Sequence, residues 1–600
     1  MCGIVAAIAN NNVTEILLKG LKYLEYRGYD SAGIAMVSSN NLTCFKEAGK
    51  VKKLCDSINT ESNFNIGIAH TRWATHGAPT KDNAHPHISN NKIAIVHNGI
   101  IENHQEIKQE LLQQGYKFIS ETDSEVICHL FHHYSNENSD AVKILTAVSH
   151  RLKGSFAIAA IDSSKADKIF AICHDSPLIL AKGEAGNYIA SDQIALIEVA
   201  KDFIYLKDRQ SAIISANTIN VFDKNGDEIS PKIERLELEV KSNNLKNHKH
   251  YMHKEIHEQP AIVDDIIKFY FQEKNNEVLQ LINKVIDCKA AHIIGCGTSY
   301  NAALLAQYWL EDLARITTST MIASEYRYHN TPVNPDTVFI CISQSGETAD
   351  TLAALRLAKT KGYKLCIAYC NNNYSSIARE ADICMPILAG KEVGVASTKA
   401  FTAQSMCLLH LAISLAPQSK KIIKITNQIT SIRDLIITAV STEDKIIRLA
   451  KKLVNVRHVI FLGRNLHYPI AEEGALKFKE LTYSHAHAYP AGELKHGPLA
   501  LVDERLYTVF LLPNNNLLEK NLSNMQEIEA RGGKIICITE QGIDKRLITS
   551  SEQIWLPECD SALSPIIHCI ALQFIAYYVA LLRGNDVDQP RNLAKSVTVE

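Results

Sequence analysis

Between residues 290 and 540 one arrangement of strand, turn and helix is written twice. In the first copy, apolar residues 291–294 lead into Gly-Cys-Gly-Thr-Ser, and residues 300–314 carry helical periodicity. Residues 338–342 then lead into Ser-Gln-Ser-Gly-Glu-Thr and a helical stretch at 349–361, and residues 364–369 read as a further strand. Strands alternating with helices imply parallel βαβ units. Gly295 in IIGCG recurs as Gly463 in IFLGR, 168 positions on, and Gly362 before KLCIAY recurs as Gly532 before KIICIT, 170 positions on. Two copies of one α/β fold follow. The second copy has Arg-Asn-Leu-His-Tyr where the first has Cys-Gly-Thr-Ser-Tyr, and Pro-Asn-Asn where the first has Gln-Ser-Gly. Its hydroxyl-bearing turns are gone, so only the first copy is built to hold a phosphate.

The first 240 residues have a different texture. Short strand candidates lie at 4–9, 66–70, 92–97, 155–162, 168–173, 177–182 and 188–191, with turn residues at close spacing, as in antiparallel sheets. Helical periodicity appears at 13–25 and 124–134. Between the halves, residues 241–258 (KSNNLKNHKHYMHKEIHE) are polar, basic and rich in Asn and His, which suits a linker entering a helix. His250, His253 and His257 have irregular spacing, and no carboxylate or thiol completes a set. They read as hinge residues rather than zinc ligands.

Lys plus Arg total 63 against 65 for Asp plus Glu, a balance with no long-range pull toward nucleic acid or anionic lipid. Fifteen cysteines without a CxxC pair read as reduced thiols. The start, MCGIV, has no basic region or long apolar run of a secretory signal. Residues 565–582 are long enough to span a membrane, but His568, Gln573, Tyr577 and Tyr578 interrupt them, and a buried domain helix is expected. The protein is therefore expected in the cytoplasm, with neither nucleic acid nor membrane as partner.

Cys2 follows the initiator Met. Removal of Met1 leaves a cysteine bearing both a thiol and a free α-amine, whose reference pKa of about 7.7–8.0 lets it take the thiol proton. From position alone Cys2 reads rather as an ordinary buried cysteine in a first strand. In AHTRWATHG, residues 69–77, Arg72 stands at the end of an apolar strand and suits a bidentate grip on an α-carboxylate. In VHNGI, residues 96–100, the Asn98 amide and the Gly99 N–H would form an oxyanion hole, although Asn-Gly is also a common hairpin turn. Asp123 suits a substrate ammonium or caps a helix.

Together CGIV at 2–5, YRGYDS at 26–31, the 70–77 run, 97–99 and Thr122-Asp123 resemble the class II glutamine amidotransferases, with Ala6 where that family usually has Gly. The resemblance implies an N-terminal-nucleophile αββα glutaminase domain over 1–240, with Arg72, Trp73, Thr75, His76 and Asp123 around glutamine. It also makes Trp73 the gate of an internal ammonia channel; by itself the sequence shows only a Trp beside Arg72.

Thr298, Ser299, Ser343, Ser345 and Thr348 lie at turns between a strand and a helix start, where exposed N–H groups favour an anion. Each alone is as well explained as a helix cap. Neither GxxxxGKS nor GxGxxG occurs, so no ATP or dinucleotide site is signalled. CGTSYN, SQSGETADTL, GVASTKAFT, EGALKFKELTY, AGELKHGPLAL and the terminal DQPRNLAKSVTVE resemble sugar isomerase domains. With the first half they resemble the glutamine–fructose-6-phosphate aminotransferases throughout. That resemblance implies two α/β, parallel-sheet, flavodoxin-like isomerase domains at 278–418 and 449–590 and a tail at 591–600. It implies L-glutamine and fructose-6-phosphate as substrates, no cofactor and no metal. Phosphosugar would be held by Thr298, Ser299, Ser343, Gln344, Ser345, Thr348, Val395 and Ser397. Glu480 would carry the C1–C2 proton beside Lys477, which from spacing alone is a surface ion pair. His496 would open the sugar ring from a partner subunit, implying a homodimer, and Lys595 would form an imine, although a lysine near a terminus is usually solvated. Two other readings remain: an amidotransferase with another acceptor, against which the missing SGGxDS-type ATP loop counts, and a non-catalytic phosphosugar-binding regulator, which needs none of Cys2, Glu480 and Lys595.

Overall fold

The computed structural model describes residues 2–58, 63–74, 76–236, 245, 247–272 and 275–598. Thr75, Met1 and most of 237–246 lie outside these. The chain forms two compact units, Met1–Ser242 with Ala594–Glu600, and Asn243–Leu593.

The first unit contains two antiparallel sheets of eight and seven strands. Strict alternation along strand Gly3–Ala9 explains the layering. Ile4, Ala6 and Ile8 face the second sheet's Ala94, Val96, Ala157 and Ala159, while Val5, Ala7 and Ala9 face Leu17 and Leu21 of helix Thr14–Leu24. Burying each of those leucines contributes about 2 kcal/mol. Helices Glu125–Glu137 and Ala141–Arg151 cover the outer face of the second sheet, completing an αββα stack. Strand Ile93–Ile101 runs past the expected end at 97, so Asn98 and Gly99 are paired to Ala157 and Phe156 within the sheet rather than forming a hairpin turn.

The second unit holds two five-stranded parallel sheets with the same order. Numbered along the chain within each sheet, the strands lie 2-1-3-4-5, the doubly wound order that leaves a crevice between strands 1 and 3. The two repeated glycine pairs have separate physical causes. A Cβ on Gly295 would stand 2.9 Å from Tyr300 N, and one on Gly463 would stand 2.1 Å from His467 O, because in both copies the next helical turn folds back over the strand end. Gly362 and Gly532 follow helices Ala349–Thr360 and Leu518–Glu529 with φ of +80° and +76°, the left-handed conformation that ends a helix. Helix Ser564–Leu582 is long and apolar enough to cross a membrane, but 83% of its apolar window is enclosed by the protein. Its polar interruptions are paired: Gln573 with Gln259 at 2.8 Å, and Tyr577 with His250 at 2.8 Å. Helix Tyr251–Ile266 takes in the second half of the expected linker.

Candidate active sites

In the first unit, strand Gly3–Ala9 lies between strands Ile66–Arg72 and Gly186–Ala190, with Gly3 opposite Thr71. That register sets Cys2 beside the end of the Ile66–Arg72 strand, where its Sγ accepts from the Trp73 N–H at 3.4 Å. Burial pushes the Cys2 thiol up, against the lowering pull of the amino-terminal charge. A neighbouring base therefore has to supply the thiolate.

Asn98 donates through Nδ2 to the Cys2 carbonyl at 3.1 Å, and its Oδ1 accepts from His70 Nε2 at 3.0 Å. His70 is fully buried, and burial holds it down to about 3, so the ring stays neutral. Its Nε2 also lies 3.0 Å from the His97 carbonyl, which fixes the proton on that nitrogen. His70 thereby orients the Asn98 amide, leaving its second N–H for a ligand. The sequence shows His70 only as part of a motif; its tie to Asn98 spans 28 positions and has no local signal.

Gly99 has φ +139°, and a Cβ there would meet Ser155 O at 2.0 Å. Gly99→Ala is expected to lose about 2–4 kcal/mol of stability through this clash and the positive φ. A thermal melt that matches the unsubstituted chain would contradict this assignment.

Arg72 is buried and clasps its own loop, donating to His76 O, to Gly77 O at 3.1 Å and to Ala78 O at 3.3 Å. Asp123 accepts the Ile101 N–H at 2.7 Å and caps no helix; the helix after it has Ser124 at its N-cap. His76 packs edge-on against His104. A cavity of about 920 Å³ lies elsewhere in this unit, lined by residues such as His87, Tyr116, Glu125 and His132, and Cys2 is not among its walls.

In the second unit, the first copy's strands 1 and 3, Ala290–Gly295 and Thr337–Ser343, end at the two hydroxyl-bearing turns, on either side of the crevice. Ser343 Oγ accepts the Gly346 N–H at 2.9 Å and lies 3.3 Å from Thr348 Oγ1, and Ser345 Oγ accepts the Glu347 N–H at 3.2 Å. These bonds curl residues 343–348 into a loop. Gly346 has φ +69°, and a Cβ would stand 1.9 Å from Ser375 Oγ. Ser299 accepts from Gln404 at 3.0 Å. The Val395 N–H donates to Asp588 O at 2.9 Å, and the Ser397 hydroxyl donates to Glu392 at 2.8 Å.

Helix Tyr468–Thr482 of the second copy carries Glu473, Lys477 and Glu480 on one face. Lys477 is buried, so it is no surface pair. Its Nζ lies 2.7 Å from Glu480 and 3.6 Å from Glu473. Glu473 also accepts from Thr298 at 3.0 Å and Asn301 at 2.8 Å, tying the first copy's hydroxyl-bearing turn to the second copy's helix. Burial pushes Glu473 up to about 7 against the pull of Lys477. Burial lowers Lys477, but Glu480 and Glu473 outweigh it and hold the ammonium charged. Sequence reasoning missed Glu473; its spacing of four from Lys477 was the available signal. His496 ends the turn Ala491–His496 and is exposed. Lys595 is grouped with the first unit.

A glutamine amidotransferase domain model matches residues 70–198, and a SIS domain model matches 284–414 and 452–583. The chain is 45% identical to glutamine–fructose-6-phosphate aminotransferase [isomerizing] of Francisella tularensis and 44% identical to that of Pseudomonas putida, in each case across the whole of both chains. The solved C-terminal domain of glucosamine–fructose-6-phosphate aminotransferase from Francisella tularensis is 42% identical, with a TM-score of 0.56, covering 58% of this chain and all of that one. With an αββα glutaminase fold ahead of two doubly wound isomerase folds, the chain belongs to the glutamine–fructose-6-phosphate aminotransferase family.

Proposed function

We propose that the protein hydrolyses L-glutamine and uses the ammonia to aminate and isomerise fructose-6-phosphate, giving glutamate and glucosamine-6-phosphate. The observation that carries this reading is full-length similarity to enzymes of that name, at 44–45% identity. The Cys2 thiol attacks the γ-amide carbon and forms a thioester. Ammonia leaves with the proton taken up by the α-amine, and water then releases glutamate. The second Asn98 N–H and the Gly99 N–H receive the oxyanion. Arg72 and Asp123 hold the substrate's carboxylate and ammonium, and Trp73, Thr75 and His76 enclose it. Arg72 does so by exchanging loop carbonyls for the carboxylate. Trp73, whose N–H touches the Cys2 sulfur, gates the departing ammonia.

Thr298, Ser299, Ser343, Gln344, Ser345 and Thr348 hold the sugar phosphate at the crevice, with Val395 and Ser397 shaping its wall. Glu480 moves the proton between C1 and C2, and Lys477 steadies its charge. Lys595 forms an imine with the ketose carbonyl, and exposed His496 opens the ring bound by a second copy in a homodimer. The fifteen free thiols suit the cytoplasm.

Incubating the full chain with glutamine and fructose-6-phosphate tests the reading. Glutamate and glucosamine-6-phosphate are expected in equal amounts; glutamate without amino sugar overturns it. Lys595→Arg is expected to lose synthesis while glutamine hydrolysis survives, and an unchanged synthesis rate would remove the imine.

A further inference from the structure

Helix Glu125–Glu137 begins without a side-chain cap. Ser124 stands at its N-cap position, where a serine hydroxyl ordinarily accepts an N–H of the first turn, but here it makes no such bond. Its backbone is already helical, with φ −82° and ψ −28°, whereas a capping residue is usually extended so that its oxygen turns over the helix end. The hydroxyl is engaged elsewhere. Ser124 is buried, and its Oγ lies 2.8 Å from His97 Nδ1 and 3.3 Å from Asp123 Oδ1. A serine that forgoes its cap to lie between two buried side chains is committed to them.

The hydroxyl has one proton. Given to His97, it would leave an oxygen lone pair facing the Asp123 carboxylate, acceptor against acceptor. Given to Asp123, it calls for a proton on His97 Nδ1, and each contact then has a donor and an acceptor. Burial lowers His97 and keeps the ring neutral, with one proton to place there. The chain therefore runs from His97 Nδ1–H to Ser124 Oγ, and from Ser124 O–H to Asp123. The other Asp123 oxygen accepts the Ile101 N–H at 2.7 Å, so each oxygen has a neutral donor and the carboxylate plane is fixed. His97 and Ile101 belong to strand Ile93–Ile101, which also carries Asn98 and Gly99. Among the described residues, buried Asp123 has no ion-pair partner, and its charge is felt at both Cys2 and Arg72. It is a desolvated anion held by neutral donors beside the Cys2 site, an arrangement that favours an incoming cation.

We propose that Ser124, backed by His97, is the positioning residue that aims Asp123 at the substrate's α-ammonium, and that it thereby sets the site's preference for an α-amino amide over the same amide without its amine. The inference rests on the reading above of Asp123 as the ammonium's partner. Neutral donors suit this task. A cationic donor would cancel the charge to which the ammonium is drawn, whereas a hydroxyl fixes the carboxylate and leaves its charge in place. The strand that presents the oxyanion pair also fixes Asp123, through Ile101 and through the His97–Ser124 link, so both ends of the substrate are registered against one element.

The test compares two ligands on the full chain: L-glutamine, and glutaric acid monoamide, which is glutamine without the α-amine. KM and kcat are measured for glutamine, and the monoamide is measured as a competitor of glutamine hydrolysis. Asp123→Asn is the reference. It is expected to raise KM for glutamine at least about 100-fold while the Ki of the monoamide stays within about threefold. Ser124→Ala is expected to raise KM for glutamine about tenfold, the worth of one hydrogen bond to a charged group. Its kcat should stay within about twofold, because a contact made equally in ground and transition states acts on KM alone. The Ki of the monoamide should not move, which also shows that the variant has folded around Cys2. Ser124→Thr, which keeps the hydroxyl, should restore the wild-type KM. A wild-type KM in Ser124→Ala overturns the proposal, and so does a variant that weakens both ligands alike, the mark of a general loss of structure. A wild-type KM in Asp123→Asn overturns the reading of Asp123 and the proposal with it, while glutamine hydrolysis by the wild type leaves the wider functional reading standing.

Discussion

Cys2→Ala abolishes glutamine-dependent amino-sugar formation and lowers glutamine hydrolysis by about 10³-fold or more, because the change removes the atom to which the γ-glutamyl group would be attached. The surrounding structure survives it. The sulfur makes two weak contacts with the Trp73 backbone, accepting from its N–H and donating to its carbonyl at 3.7 Å, and the Asn98 tether is to the Cys2 carbonyl, which alanine retains. Losing the sulfur's hydrogen bonds costs about 1 kcal/mol at most. The expected signature is an unchanged melting temperature, unchanged binding of fructose-6-phosphate and no glutamate. Hydrolysis at the wild-type rate in Cys2→Ala would rule out the nucleophile and with it the first half-reaction. Cys2→Ser, nearly isosteric but a poorer nucleophile, separates loss of chemistry from loss of shape.

Glu480→Gln is expected to reduce amino-sugar synthesis by about 10²–10⁴-fold, the usual contribution of a positioned acid–base group, while glutamine hydrolysis stays within about twofold. The neighbouring charges explain why this variant should fold. Glu480 Oε2 lies 2.7 Å from Lys477 Nζ, but Glu473 stands 3.6 Å from the same ammonium, and the Glu480 charge is one of the causes that hold Glu473 up, so neutralising Glu480 lowers Glu473 and leaves the buried Lys477 an anionic partner. Removing the only partner of a buried charge would cost about 3–5 kcal/mol. The Glu480 side chain is 21% exposed, whereas those of Lys477 and Glu473 are closed off, so of the three it is the one able to meet a substrate. Exchange of the C1 proton with solvent deuterium gives a direct readout. Exchange at the wild-type rate in Glu480→Gln would transfer the role to another group.

Much of the architecture is local and therefore legible in the sequence. Alternation along Gly3–Ala9 gives a strand with two apolar faces, which belongs between a helix layer and a second sheet. The paired glycines at 295 and 463 and at 362 and 532 reveal a duplicated fold because each answers a steric demand within a few residues of itself. Hydroxyls just past strand ends mark the turns at 298–299 and 343–348 for the same reason.

Strand limits were less legible. Asn98-Gly99 reads locally as a turn, but pairing with Ala157 and Phe156 carries the strand through it. What decides between turn and strand lies some 60 positions away. The same holds for the site's supporting groups. His70 behind Asn98 and Glu473 between Thr298 and Lys477 are joined across 28 and 175 positions.

Composition, periodicity and motif spacing determined that this chain is an antiparallel α+β unit followed by a doubled parallel α/β unit, and which strand ends carry hydroxyl-bearing turns. The tertiary structure alone decided which buried group faces which. Backbone preference acts over a few residues, whereas desolvated charges and hydrogen-bond donors find their partners only when packing brings distant segments within about 3 Å.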